Sequence, residues 1–206
     1  MPKGSPELTN ARRCEIVEAC AQLYRTLPFK DITIGLISAK TSFTRTSVYN
    51  YFRTKEEIFL ALLEREYAAW IADLDALSRR GVPREEFAQA FSALLEDRQC
   101  MLRLMSMNLY DMEAGSGMDA LVRFKRVYND SIKAVVRCLK RHFPSCTDET
   151  AYGFVYSFYP FLFGVYPYTS PTDKQVAAME AAHVVYKNYT VSQITCELVR
   201  KLISVF

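Results

Sequence analysis

Along nearly the whole chain, apolar residues recur at intervals of three and four, and no stretch shows the sustained alternation of a half-buried strand. Ile16, Cys20, Leu23 and Leu27 mark one face of a first helix that follows MPKGSPEL. Ile34 and Ile37 suit a short second helix, with Thr33 placed to cap it. Thr54-Lys55-Glu56-Glu57 has the form of a capping box. It opens a long helix whose inward face reads Ile58, Phe59, Leu62, Leu63, Tyr67, Trp70, Ile71, Leu74 and Leu77.

The same period continues downstream. Pro83 is placed to open a helix carrying Phe87, Phe91, Leu94 and Leu95. Met101, Leu102, Met105 and Leu109 predict another, which AGSG at 114–117 breaks. A stripe from Leu121 through Phe124, Tyr128, Ile132 and Val135 to Leu139 ends near Pro144. A further helix begins near Thr147, with Asp148 and Glu149 at its positive end. Thr172 with Gln175 and Thr190 with Gln193 have the spacing of two more capping boxes. The pattern predicts nine or ten helices and an all-α fold. Residues 151–172 carry no charge, but Pro160 and Pro167 interrupt them and TSPT closes the segment. What remains is near the lower limit for a membrane span, so it reads as a buried helix of a protein without a membrane partner.

Composition adds little chemistry. Six scattered cysteines without a CxxC pair, and no apolar leader behind a basic flank, fit reduced core thiols in a cytoplasmic protein. Cys138, His142 and Cys146 recur every four residues, as metal ligands on one helical face would. Pro144 should end that helix before Cys146 and no fourth ligand is evident, so ordinary packing is favoured, with neither metal nor cofactor expected. Charge changes the picture more. Residues 1–56 hold nine Lys/Arg against five Asp/Glu, whereas the remaining 150 hold 17 against 18. A basic N-terminal quarter points to a polyanionic partner.

Three short helices with that charge bias, the third following a brief turn, fit a helix-turn-helix. In FTRTSVYNYF (43–52), Thr44 would cap the third helix, while Val48 and Phe52, four apart, face inward. Arg45, Thr46, Tyr49 and Asn50 then point outward, with Ser47 at the margin. Arginine pairs bidentately with guanine and asparagine with adenine in the major groove, and a threonine methyl meets thymine. Tyrosine hydroxyls, including that of Tyr51, and Lys55 can reach phosphates and so set register.

This segment resembles the DNA-binding motif of the tetracycline-repressor (TetR) family, roughly I-A-x-x-A-G-V-S-x-x-[ST]-[LIV]-Y-x-[HY]-F-x-[ST]-K-E. Ile37, Thr44, Ser47, Val48, Tyr49, Tyr51, Phe52, Thr54, Lys55 and Glu56 match it in register, and upstream Ala19, Leu23 and Thr33 also fall where the family keeps such residues. Ser38 and Thr41 replace small alanines, Ser42 replaces the turn glycine, and Gly35 lies inside the second helix. A side chain at 42 would strain a turn that needs positive φ.

The resemblance implies a helix-turn-helix domain over 1–55 and a helical effector-binding and dimerisation domain over 56–206. It implies a homodimer on a pseudo-palindromic double-stranded DNA operator, with Thr33, Thr44, Arg45, Thr46, Ser47, Tyr49, Asn50, Tyr51 and Lys55 as its DNA-binding residues. Dimer contacts would come from Phe154, Leu162, Ile194, Leu198 and Leu202. A small apolar or aromatic effector would lie among Met101, Met105, Tyr110, Tyr128, Phe158 and Phe161, although each could equally be simple core. Ligand binding would shift the spacing of the two heads, through the long helix, and release a repressor. An enzyme finds little support in two histidines with no phosphate loop and no nucleophile–base arrangement. The alternative is a helical ligand-binding or scaffolding protein that does not bind DNA.

Overall fold

The computed structural model describes residues 5–206 and is helical, with ten α-helices and no strand among them. The first is α1 (Pro6–Thr26), which starts inside the MPKGSPEL stretch rather than after it. Ser5 explains the early start: its side chain accepts from the backbone N–H of Leu8, and Pro6 supplies a φ already suited to the first turn. The remainder of that stretch, residues 1–4, lies outside the described residues. Then come α2 (Ile34–Ser38), α3 (Arg45–Val48), α4 (Lys55–Arg80) and α5 (Arg84–Glu96). The second half holds α6 (Gln99–Ala114), α7 (Met118–His142), α8 (Asp148–Thr169), α9 (Asp173–Ala181) and α10 (Val191–Leu202).

Threonine caps set most of the later boundaries. Thr147 with Thr150, Thr172 with Gln175 and Thr190 with Gln193 each exchange side-chain and backbone hydrogen bonds in complete capping boxes. Gly81, at φ +61°, takes the left-handed conformation that stops α4.

One expectation fails. α8 runs unbroken through Pro160 and Pro167 instead of being interrupted by them. Both prolines are exposed, so their rings project from the solvent-facing side of the helix rather than into the packed core. No described helix is long and apolar enough to cross a membrane.

The chain divides into two compact units. One comprises the chain up to Tyr67 with Asn108–Tyr128, the other Ala68–Met107 with Asn129–Phe206. In the first, Ile16, Cys20 and Tyr24 of α1 are buried with Val48, Phe52, Ile58 and Phe59. Tyr24 meets Phe59 edge-on at 5.3 Å and donates to Asn108 Oδ1 at 2.7 Å, which satisfies its buried hydroxyl. In the second, Phe91 is the hub, with Trp70, Phe87, Phe154 and Phe158 all within 6 Å of its ring centre. There α10 packs on α5 and α8 through buried Val191, Thr195 and Val199.

Candidate nucleic-acid interface

The short α3 owes its position to two features of its sequence. Thr44 caps it, accepting from the Ser47 N–H at 3.3 Å and bonding the Ser47 hydroxyl at 3.0 Å. Val48 and Phe52, fully or almost fully buried, pin its inner side. This leaves Arg45, Thr46 and Asn50 exposed, Tyr49 46% exposed and Ser47 half-buried. α3 is a single helical turn followed by a tight tail, in which Asn50, Tyr51 and Phe52 donate back to Ser47 and Val48 carbonyls. Arg45, Thr46, Tyr49 and Asn50 therefore share a solvent face with donors, acceptors and a methyl group on it, the equipment that base edges require.

The turn before α3 avoids the strain that Ser42 threatened. Among the described residues other than glycine, only His183 has a positive φ. Side chains do the work instead. Thr41 Oγ1 donates to the Ser38 carbonyl at 2.9 Å and accepts from the Phe43 N–H at 3.2 Å, while the Ser42 N–H donates to Glu15 Oε1 at 2.7 Å. Glu15 was not legible as a turn-holder from sequence, because the contact spans 27 residues.

Two arginines of α1 were likewise counted only as charge. Arg12 donates to the Tyr51 hydroxyl at 3.0 Å, and Arg13 donates to the Tyr51 carbonyl at 2.9 Å while its guanidinium lies 4.3 Å from the Phe52 ring centre. Both stitch the tail that follows α3 to α1. Tyr51 is half-buried accordingly. Lys55 donates to the Phe29 carbonyl at 3.0 Å and sits over that ring, and Thr33 is exposed while capping α2 through the Leu36 N–H.

The start of α4 uses only half of the expected capping box. Thr54 Oγ1 accepts from the Glu57 N–H at 3.2 Å, but the Glu57 carboxylate reaches one residue further back, to the Arg53 N–H at 2.8 Å. Its other oxygen accepts from the Gly117 N–H at 3.2 Å, and Thr54 Oγ1 donates to the Gly115 carbonyl at 2.9 Å. The AGSG break between α6 and α7 is thus bonded onto the entrance of α4.

The other candidate residues are more dispersed. Met101, Met105 and Phe158 are buried and Phe161 half-buried in the second unit, and half-buried Tyr128 belongs to the first. Tyr110 is 90% exposed, so it does not line an enclosed effector site. Its position on α6 matches the apolar period less well than the buried Met112 does, and an exposed tyrosine at such a position is easily mistaken for core. Phe154 and Leu162 are buried within the single chain, whereas Ile194, Leu198 and Leu202 keep part of their surface exposed. Ile194 faces an open groove of about 610 Å³ that it shares with Gln89, Tyr189 and Arg200. At the sulfur–histidine spacing, His142 Nδ1 lies 2.9 Å from the Cys138 carbonyl and its ring packs on Phe87. Burial pushes the Cys138 thiol up to about 11.

Residues 64–203 match the family described as tetracyclin repressor-like, C-terminal domain, which covers more than half of the chain. The chain belongs to the tetracycline-repressor-like family. As a member it is a transcriptional regulator, and the capped α3 with its exposed polar face lies in the N-terminal quarter whose residues resemble the TetR motif. The fold agrees with solved structures. The fatty acid degradation regulator FadR from Bacillus halodurans superposes with a TM-score of 0.61 at 11% identity, covering 98% of this chain and 96% of that one. A protein from Mesorhizobium loti described as a TetR-family transcriptional regulator gives 0.56 at 14% identity, covering 96% and 97%. At such identities the likeness extends to the fold alone. No curated protein matches the sequence.

Proposed function

We propose that this TetR-family regulator is a cytoplasmic homodimeric repressor that reads a pseudo-palindromic operator through α3 and leaves it when a small apolar or aromatic effector binds the helical body. The observation that carries this reading is the exposed set on α3. Arg45 and Asn50 supply the two bidentate base readers, Thr46 a methyl and hydroxyl, and Tyr49 a phosphate contact, all on a turn whose inner side is fixed by Val48 and Phe52. Thr33, Thr44, Ser47, Tyr51 and Lys55 lie on or beside this segment and are assigned mainly to register and support.

A dimer is supported by the outward side of α8. Tyr156 and Tyr168 are 78% and 72% exposed, Gly153, Pro160, Gly164 and Pro167 are also exposed, and the helix carries no charge after Glu149. An uncharged aromatic strip several turns long is the composition of an interface centre. It replaces Phe154 and Leu162 as the α8 contribution, joined by Ile194, Leu198 and Leu202 of α10. The division into a reading domain over 1–55 and an effector domain over 56–206 belongs to the same proposal.

The test is selection of bound fragments from a random DNA pool, with wild type and Arg45→Ala side by side. Wild type should enrich an inverted repeat, and loss of one bidentate contact should cost about 1–3 kcal/mol at one position of each half-site. No enrichment by folded wild-type protein at low salt would overturn the reading and favour a helical binding module that does not use DNA.

A further inference from the structure

A cleft of about 350 Å³ lies within the first unit, between the tail of the reading segment and the first turns of α7. Three guanidinium groups line it: Arg13 from α1, Arg53 from the α3–α4 turn and Arg123 from α7. Tyr49 and Asn50 border it as well. Arg53 and Arg123 are exposed and neither forms an ion pair among the described residues, while Arg13 is held on Tyr51 and Phe52.

Two carboxylates share the lining. Glu57 is already committed to the N–H groups of Arg53 and Gly117, Asp119 is the second, and Glu64 from outside the lining also pulls on Arg13 and Arg123. The guanidinium groups also repel one another. Burial first, and the charge of Arg123 second, push Arg13 below its ordinary value, against the pull of Glu64 and Glu57. Gly117 leaves the lining bare of a side chain beside Arg53. A Cβ there would lie 3.7 Å from Arg53 Nη1 and 3.1 Å from Glu57 Oε1, so the backbone comes close to both the arginine and the carboxylate that its N–H bonds. This residue also sits just before the N-terminus of the 25-residue α7, whose free N–H groups favour negative charge.

We propose that this cleft is an oxyanion site for a phosphate group, gripped by Arg53 and Arg123 with Arg13 behind them. Arginine forks match phosphate oxygens in geometry and charge, and an anion between the three groups removes their mutual repulsion. Because Tyr49 and Asn50 border the cleft, the phosphate has two sources: the DNA backbone beside the bases that α3 reads, or a free phosphate that occupies the site in the absence of DNA. The first source rests on the proposed operator binding; the second does not.

Two measurements on wild type, Arg123→Ala and Asp119→Asn separate these sources. The first is thermal stabilisation of the DNA-free protein by inorganic phosphate, compared with chloride at equal ionic strength. The second is the salt dependence of binding to the selected operator. A free-anion site predicts that phosphate stabilises wild type, that Arg123→Ala weakens its affinity about ten- to a hundredfold, as loss of one charge-assisted hydrogen bond would, and that Asp119→Asn strengthens it. A backbone-phosphate site predicts that Arg123→Ala weakens binding to all DNA sequences alike and lowers the slope of log K against log salt by about 0.9, and that Asp119→Asn tightens binding. Arg123 makes no hydrogen bond among the described residues but offsets the burial of Glu64, so each variant's phosphate response is read against its own melting temperature in chloride. Variants indistinguishable from wild type in both measurements would overturn the site. If wild type selects no operator at all, the proposed function fails, and the phosphate measurement alone decides the cleft.

Discussion

Glu57 holds the entrance of α4 and the α6–α7 break together, and its removal should show how much that junction contributes. The residue is 9% exposed, and its two oxygens accept from two backbone N–H groups, of Arg53 at 2.8 Å and Gly117 at 3.2 Å. A hydrogen bond to a charged group is worth about 1.5–3 kcal/mol, and truncation leaves both donors half-buried without an acceptor. The longer bond counts for less, and some water will enter the space that a methyl leaves. Glu57→Ala should therefore lose about 2–4 kcal/mol, a large share of the ~5–15 kcal/mol that keeps a typical protein folded. Glu57→Gln retains one carbonyl acceptor and should lose about half as much. Urea unfolding reads the global effect as a lower midpoint at unchanged slope. Amide exchange at Arg53 and Gly117 reads the local one, and both sites should lose protection together. If Glu57→Ala unfolds within about 0.5 kcal/mol of wild type, or if Gly117 exchange does not change, the bridge is incidental and the reasoning is wrong.

Other expectations follow from single residues. Gly35 lies inside α2 without a positive φ, and a Cβ there would meet nothing nearer than Thr33 Oγ1 at 3.6 Å; Gly35→Ala should stabilise by about 0.5–1 kcal/mol in the same urea assay. Burial raises the Glu64 carboxyl above its model-peptide value of 4.5 against the opposing pull of Arg123 and Arg13. A raised value means that the fold prefers the protonated acid, so this contribution is complete below the unfolded value and is lost as pH rises through the folded one. Glu64→Gln should then be at least as stable as wild type at neutral pH, and that advantage should shrink as pH falls toward 4.5 in parallel melting curves.

Much of this architecture can be read from the chain because its signals are local. Apolar spacing found the faces of α1, α4 and α7, and threonines at 33, 44, 172 and 190 cap the helices that follow them. The exposed face of α3 was equally accessible, since Val48 and Phe52 fix the rotation of the turn. What the sequence concealed depends on distant partners. Glu15 reaches Ser42, Arg12 and Arg13 reach Tyr51, and Glu57 reaches Gly117 across 60 residues. Pro160 misled for a different reason: its ring projects from the solvent-facing side of α8, and a linear pattern does not show that. The aromatic residues of α8 are numerous enough that sequence could not divide them into buried Phe154 and Phe158 and exposed Tyr156.

The first compact unit is not one continuous stretch of chain: it needs residues 108–128 as well as those up to 67. During synthesis, the segment with α3 emerges before Asn108, Gly115 and Gly117, the partners of Tyr24, Thr54 and Glu57, have been made. The segment proposed to meet DNA is thus made ahead of the residues that complete its support. A nascent chain, or a fragment ending at residue 67, would carry every side chain proposed to read bases with an unfinished support beneath them. On the proposed function, competence for DNA is thereby tied to translation of the body, and a truncated product would make a poor competitor for the operator.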